Sequence, residues 1–79
     1  MNKQLKTVLQ TIAINIRTLR KEQGLSQEGL AEQTGLHRTY VGAVERAERN
    51  VTLLTLCSFA KALNTSLPEL LTNMREKTP

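Results

Sequence analysis

LSQEGLAEQTGLHRTYVGAVE, residues 25–45, decides the fold of this chain. Two short helices that cross at roughly 90–120° approach so closely that their contact point accepts little more than a methyl group. Ala31 supplies that methyl group, and Gly35 stands where the chain must leave the first helix in a left-handed conformation. Apolar residues recur on the faces that hold the two helices together: Leu30, Leu36, Val41 and Val44. The pattern predicts a helix-turn-helix unit over about residues 26–47, which makes DNA binding the first hypothesis.

Helical periodicity continues on both sides of this unit. About residues 3–23 form one predicted helix, because apolar side chains recur at intervals of three and four. They are Leu5, Val8, Leu9, Ile12, Ala13, Ile16 and Leu19. Ser26, Thr52 and Ser66 are the predicted N-caps of the second, fourth and fifth helices. No segment alternates with a period of two, so the sequence predicts an all-α, five-helix fold in a single domain over residues 1–79.

Charge and cysteine content point to a partner and a compartment. The formal net charge of +4 and the isoelectric point near 9.7 suit a polyanionic partner. The single cysteine, Cys57, excludes an internal disulfide and fits a reducing cytoplasm. No apolar run approaches the roughly 18 residues of a membrane span, and no secretory signal is evident. We therefore expect a cytoplasmic protein that makes no membrane contact.

The second helix of a helix-turn-helix lies in the major groove, where its N-terminal residues meet base edges. The residues expected on this surface are His37, Arg38, Thr39, Gly42 and Ala43, flanked by Tyr40 and Arg46. Arg38 carries the fork of donors that matches O6 and N7 of guanine. Thr39 can donate to a base or a phosphate, or place its methyl group against that of thymine. Gly42 and Ala43 are expected to face outward and let the helix approach the bases closely.

Other roles stay open for part of this surface. Arg38 and Thr39 also fit a solvated turn, and Tyr40 fits the edge of the core as well as a DNA contact. His37 fits a helix cap with a phosphate contact better than a base contact. Since His37 has no Cys or His neighbour in the sequence, we expect no metal site, and no cofactor is expected.

Contacts to the DNA backbone set register and carry the salt-sensitive part of the affinity. Gln27 opens the second helix, whose positive N-terminal end attracts phosphate. Arg49 and Asn50 follow the third helix and are placed to meet phosphates or the adjacent minor groove. Arg20 and Glu45 each lie beside inward residues, so a buried ion pair between them is expected to tie the first helix to the reading helix.

Dimerisation is expected because one recognition helix covers only a few base pairs, whereas two half-sites related by a two-fold axis supply useful specificity. The predicted dimerisation region is about residues 52–76, where apolar residues exceed the needs of one inward face. The interface candidates are Leu54, Cys57, Leu67, Leu70 and Met74. Ordinary core packing is the competing explanation for Leu67 and Leu70.

Three segments carry a family resemblance over nearly the whole chain. IRTLRKEQGLSQEGLAEQTGL (residues 16–36), RTYVGAVERAERN (residues 38–50) and LxxxAKALNTSLPELL (residues 56–71) resemble the Xre/Cro/C1-type helix-turn-helix family. The resemblance implies a five-helix, phage-repressor-like domain. It also implies a scaffold ion pair between Arg20 and Glu45 and a phosphate-binding role for Gln27.

Within that family, HRTYVGAVERAERNVTL (residues 37–53) resembles the controller proteins of restriction–modification systems. Such controllers are dimeric regulators that activate their own gene and the endonuclease gene at low occupancy and repress at high occupancy. The resemblance implies DNA-contact roles for Arg38, Thr39, Tyr40, Arg49, Asn50 and Thr52. Glu28 and Glu32 match the places of the acidic activating surface in lambda-type repressors, and this similarity implies that they contact the RNA polymerase sigma subunit. A merely solvated role fits these two carboxylates equally well.

Three other classes of function compete with a controller. Another Xre-type regulator, such as an antitoxin or phage repressor, is the nearest. A protein-interaction module without DNA binding is disfavoured because it has no reason to keep the donors of Gln27, Arg38 and Arg49. An enzyme is least expected, since one His, one Cys and no Asp provide neither a nucleophile–base pair nor a metal set.

Overall fold

The computed structural model describes residues 3–73 as five α-helices joined by short turns. They are α1 (Lys3–Glu22), α2 (Gln27–Thr34), α3 (Arg38–Glu45), α4 (Leu53–Ala62) and α5 (Leu67–Leu71). No strand occurs in this part of the chain, so the predicted all-α, five-helix fold is confirmed.

Side-chain caps begin the helices as predicted. The hydroxyl groups of Ser26, Thr52 and Ser66 each accept a hydrogen bond from a backbone N–H in the first turn of α2, α4 and α5. His37 caps α3 in the same way, because its Nδ1 accepts from the N–H of Thr39 at 3.1 Å. Each cap satisfies a donor that a helix N-terminus leaves without an intrahelical partner.

The turn between α2 and α3 has the predicted left-handed glycine. Gly35 has φ of 76°, and its N–H donates to the carbonyl of Ala31 at 2.9 Å. The next N–H, of Leu36, donates to the same carbonyl at 3.1 Å. Because Gly carries no Cβ, it takes this conformation without steric cost and reverses the chain directly after α2.

Helix α3 ends two residues before the predicted boundary at Ala47. Ala47 has φ of 59°, and this left-handed conformation cannot continue a right-handed helix. The N–H of Glu48 donates to the carbonyl of Ala43 at 2.9 Å, and the N–H of Ala47 donates to that of Val44 at 3.0 Å. These two bonds form a Schellman motif with alanine where glycine is usual.

The core takes side chains from all five helices. Its fully buried members include Ile16, Leu30, Val41, Phe59 and Leu70. The apolar face of α1 is not fully covered in its first two turns, where Leu5 and Val8 are each 41% exposed. A helix of 20 residues is about 30 Å long, whereas α3 and α5, which pack against it, have eight and five residues and cannot cover its whole length.

One buried polar residue, absent from the predictions, joins α1 to α5. Asn15 is 2% exposed, and its Nδ2 donates to the carbonyl groups of Leu70 and Thr72 at 2.9 Å each, with a longer contact to that of Glu69 at 3.3 Å. Carbonyl groups at a helix C-terminus have no intrahelical partner. Asn15 therefore supplies the cap that holds the end of this short helix against α1.

Candidate nucleic-acid interface

A buried ion pair fixes the position of the reading helix α3 relative to α1. Arg20 donates from Nε to Oε2 of Glu45 at 2.6 Å and from Nη2 to Oε1 at 3.0 Å. Its remaining amino group, Nη1, donates to the carbonyl of Leu25 at 2.9 Å, just before α2. The guanidinium thus bonds α3 and the start of the helix-turn-helix unit at once, in the two-point geometry that makes Arg–carboxylate pairs directional.

Gln27 extends this network to the first turn of α2. Its Nε2 donates to Oε1 of Glu45 at 3.1 Å, so the amide is held between α2 and α3. The side chain is half-buried and lies at the helix N-terminus, where backbone N–H groups and the helix dipole favour an anion. This is the position from which the sequence predicts a phosphate contact.

Gly42 was expected to face outward, and in the structure two polar side chains of that surface cover it. Gly42 is buried, and a Cβ added there would lie 3.1 Å from Nη1 of Arg46 and 3.3 Å from Oε1 of Gln27. The absent side chain leaves room for these two polar side chains to lie across the backbone of α3. Gly42 therefore shapes the surface indirectly, and Ala43 next to it is half-buried.

The first turn of α3 presents the side chains predicted to read bases. His37, Arg38 and Thr39 are all exposed. Since Nδ1 of His37 accepts from the backbone of Thr39, its Nε2 is left as the ring donor that can meet a phosphate. The predicted cap and the predicted phosphate contact are therefore compatible on the same ring.

Arg38 has a partner that the sequence did not reveal. Its Nη1 forms an ion pair with Oε1 of Glu28 on α2, and both side chains are 65% exposed. Glu28 was predicted to belong to an activation surface with Glu32, which is exposed four residues further along α2. Ten residues separate Glu28 from Arg38 in the chain, and only the turn of the helix-turn-helix brings them together.

The segment after α3 adds further cations to the surface of the unit. The guanidinium carbon of Arg49 lies 5.7 Å from the ring centre of Tyr40, within the range of a cation–π contact. Tyr40 is half-buried, so it lies at the core edge and touches the surface at once. Asn50 is exposed beside Arg49, and Arg46 donates from Nε to Oε1 of Glu48 at 3.0 Å.

Thr52 lies at the start of α4, and its hydroxyl is already used there. It accepts from the N–H of Thr55 at 3.1 Å and donates to Oγ1 of the same residue at 3.0 Å. The DNA-contact role implied for Thr52 therefore has to be shared with its function as a helix cap.

The predicted dimer-interface residues differ in exposure. Leu54 is 80% exposed and Cys57 is exposed, and together with Leu53, which is 67% exposed, they form an apolar patch on α4. We call these three residues the α4 patch. Leu54 and Cys57 were named as interface candidates from the sequence, and Leu53 was not.

The candidates that follow α4 in the chain are Leu67, Leu70 and Met74. Leu70 is fully buried in the core, so its assignment to the interface is wrong, because α5 packs this face against α1 and α4. Leu67 is half-buried and packs against the same core. Met74 lies outside the described residues.

Residues 3–73 contain neither a cluster of metal-binding side chains nor a membrane-spanning helix. No group of three or more His, Cys or Glu side chains is close enough to hold a metal ion within this range. None of the five described helices is both long and apolar enough to cross a membrane.

Known helix-turn-helix proteins match most of this chain in sequence. The model of the Helix-turn-helix family matches residues 16–70. Control protein C.SmaI of Serratia marcescens is 62% identical over 65 residues, which are 82% of this chain and 77% of that protein. These matches confirm the predicted resemblance to Xre-type regulators and, among them, to controller proteins.

Solved structures agree with the sequence relatives. The restriction–modification controller protein C.AhdI from Aeromonas hydrophila has a TM-score of 0.76 and 47% identity, covering 78% of this chain and 94% of that chain. The C.Esp1396I controller, solved as a tetramer in complex with its natural 35-base-pair operator, has a TM-score of 0.71 and 33% identity, covering 82% of this chain and 96% of that chain. On these matches and on its own geometry, this chain belongs to the helix-turn-helix family.

Proposed function

We propose that this protein is a dimeric, sequence-specific DNA-binding transcription regulator, the controller of a restriction–modification system that regulates its own gene and the endonuclease gene. The observation that carries the proposal is the exposed first turn of α3, with Arg38 and Thr39, held on a scaffold by the buried Arg20–Glu45 pair. The similarity to C.SmaI, C.AhdI and C.Esp1396I supports the controller assignment.

In this proposal α3 lies in the major groove, and its N-terminal residues meet the bases. Arg38 reads guanine through O6 and N7, and Thr39 meets a neighbouring base or phosphate. Gln27 and His37 bind phosphates at the N-terminal ends of α2 and α3, and Arg49 with Asn50 reaches the backbone or the minor groove beyond α3. Tyr40 supports Arg49 from the core edge.

The homodimer forms through the α4 patch. Two exposed leucines next to an exposed cysteine make an apolar surface that a second copy of the chain can cover. A two-fold dimer presents two copies of α3 to the two halves of a palindromic operator. The whole chain then functions as a single domain in the cytoplasm, as a DNA-binding regulator and not as an enzyme.

Activation is assigned to the exposed carboxylates of α2, through contact with the polymerase sigma subunit. Glu32 gives the cleaner test, because Glu28 is paired with Arg38 and its replacement also changes the reading surface. We expect Glu32→Lys to abolish transcription activation while operator affinity is retained. Unchanged activation by this variant would remove the sigma contact from the proposal.

The decisive experiment is a salt-dependent gel shift with DNA from immediately upstream of the protein's own gene, beside scrambled DNA of the same length and composition. A controller should bind its operator about 10³-fold or more tightly than the scrambled DNA at physiological salt. Equally weak binding to both would mean that the operator lies elsewhere, as for another Xre-type regulator, or that the partner is a protein. With either explanation, the autoregulatory controller assignment would be withdrawn.

A further inference from the structure

The ion pair between Glu28 and Arg38 joins α2 to α3 at the protein surface. Glu28 lies in the first turn of α2 and Arg38 is the first residue of α3. The contact uses Nη1 of the guanidinium and Oε1 of the carboxylate. An exposed ion pair of this kind contributes little to folding, so its main consequence is for where the Arg38 side chain points.

We propose that Glu28 is a specificity-determining residue, which positions the Arg38 guanidinium for a base edge and keeps it off the phosphate backbone. This inference rests on the proposed function, in which Arg38 reads guanine. It assigns to Glu28 a task that does not involve the polymerase.

The geometry of arginine explains how Glu28 can hold the Arg38 guanidinium and still leave it free to contact a base. Guanidinium has five N–H donors in a rigid plane, and Glu28 accepts from Nη1 alone. The donors that remain are enough for the two parallel hydrogen bonds that guanine O6 and N7 accept. Holding Nη1 also limits the rotamers of a long side chain, so less conformational entropy is lost when the base contact forms.

The negative charge of Glu28 explains how Arg38 is kept off the phosphate backbone. A phosphate that approached Arg38 from the side of α2 would meet the carboxylate of Glu28 and be repelled, whereas a neutral base edge would not. Without Glu28, Arg38 becomes a free surface cation that pairs with any phosphate within reach. Binding to random DNA then strengthens while the preference for guanine weakens, and both changes lower the specificity ratio.

Glu32 provides the matched control. It is exposed one turn further along α2, so Glu32→Ala removes the same charge from the same helix, and the structure shows no ion pair between it and Arg38. A general loss of negative charge should raise binding to all DNA in both variants. Only the loss of Arg38 positioning should change base preference, and only in Glu28→Ala.

The test compares intact protein with Glu28→Ala, Glu28→Gln and Glu32→Ala on DNA that holds one dimer footprint, against the same DNA with the guanine contacted by Arg38 replaced. That base pair is identified beforehand. Its replacement weakens binding by the unsubstituted protein but does not change binding by Arg38→Ala. We expect Glu28→Ala to lower the guanine preference roughly two- to fivefold, the size of effect that an exposed ion pair supports. Glu28→Gln should lie between, because its amide oxygen still accepts from Nη1, and Glu32→Ala should keep the full preference.

Either of two outcomes with the single variants would overturn the inference, and a double variant tests it further. One is an unchanged guanine preference in Glu28→Ala. The other is an equal loss in Glu28→Ala and Glu32→Ala, which would reduce the effect to total charge. Glu28→Ala in an Arg38→Ala background must leave base preference unchanged, or the carboxylate acts on the DNA without Arg38. If the unsubstituted protein itself shows no preference between operator and scrambled DNA, the proposed function fails first, and the two failures are thereby distinguished.

Discussion

Arg20 and Glu45 stand 25 residues apart in the chain and form a two-point ion pair whose carboxylate side chain is only 2% exposed. A buried charge pair of this type gains little net free energy of folding, because both groups lose their hydration. It is directional, however, and it joins the last turn of α1 to the last turn of the reading helix. Gln27 and the carbonyl of Leu25 complete its hydrogen bonds, so the pair also sets where α2 begins.

Removing one partner of this pair leaves a buried charge without compensation. We expect Glu45→Ala to lower the free energy of unfolding by about 3–5 kcal/mol, which is a large fraction of the roughly 5–15 kcal/mol that stabilises a native protein. Urea unfolding followed by circular dichroism measures the change. Glu48→Ala is the control, because it removes an exposed partner of Arg46 and should change stability by less than about 0.5 kcal/mol. If Glu45→Ala lost as little stability as Glu48→Ala, Arg20 would have to be stabilised by other groups.

Arg38→Ala tests base readout. We expect a loss of about 1–3 kcal/mol in operator binding and a relaxed preference at one base pair, with a much smaller loss on random DNA. Arg17→Ala removes the same charge from an exposed position on α1 and should leave base preference unchanged. Gel shifts on operator variants measure both. An equal loss on specific and random DNA would place Arg38 on the phosphates.

Gln27→Ala tests the phosphate contact at the start of α2. A phosphate contact carries no sequence information, so binding to operator and random DNA should weaken by the same factor. Because Gln27 also donates to Glu45, the melting temperature of the variant must be compared with that of the unsubstituted protein. A loss confined to the operator would assign Gln27 to base readout instead.

Leu54→Glu tests the α4 patch. Two copies of a carboxylate placed at an apolar two-fold interface would have to be desolvated there, so we expect the protein to sediment as a monomer. Ile14→Glu places the same charge at another exposed apolar side chain, on α1, and should leave the dimer intact. A dimer that persists in Leu54→Glu and dissociates in Ile14→Glu would move the interface to α1.

Ala47→Gly tests the end of the reading helix. The left-handed conformation at Ala47 costs an L-residue about 1–2 kcal/mol, and glycine avoids most of this while losing more entropy on folding. We expect a net stabilisation of about 1 kcal/mol or less, read as a higher urea midpoint with an unchanged slope. Asn64→Gly, at the other non-glycine residue with positive φ in the described chain, should gain less, since asparagine tolerates this conformation better than alanine. Destabilisation of Ala47→Gly would mean that the alanine methyl group has packing contacts that offset its strain.

Local features of the chain were predictable because they depend on neighbours in sequence. The left-handed turn at Gly35 and the caps at Ser26, Thr52 and Ser66 need only a few residues on either side, and all four occur as expected. The end of α3 was not predictable in the same way. Alanine favours helix, so the identity of Ala47 does not indicate the left-handed conformation that it adopts in the Schellman motif.

Periodicity predicted which face of each helix is apolar, and it could not predict how far a partner helix reaches along that face. Leu5 and Val8 continue the apolar face of α1 and are exposed because α3 and α5 are too short to cover it. Leu70 and Leu54 were both interface candidates, with core packing as the competing explanation for Leu70 alone of the two, and packing buries Leu70 and leaves Leu54 in solvent.

The sequence by itself determined the helices, their caps and the helix-turn-helix, because short-range sterics and hydrogen bonds decide each of these. Tertiary structure alone decided that Asn15 caps α5, that Gln27 and Arg46 cover Gly42, and that Glu28 holds Arg38. These contacts join residues on different helices, so they depend on the angles at which the helices pack. The identity of a polar side chain does not reveal which distant donor or acceptor the packing will bring to it.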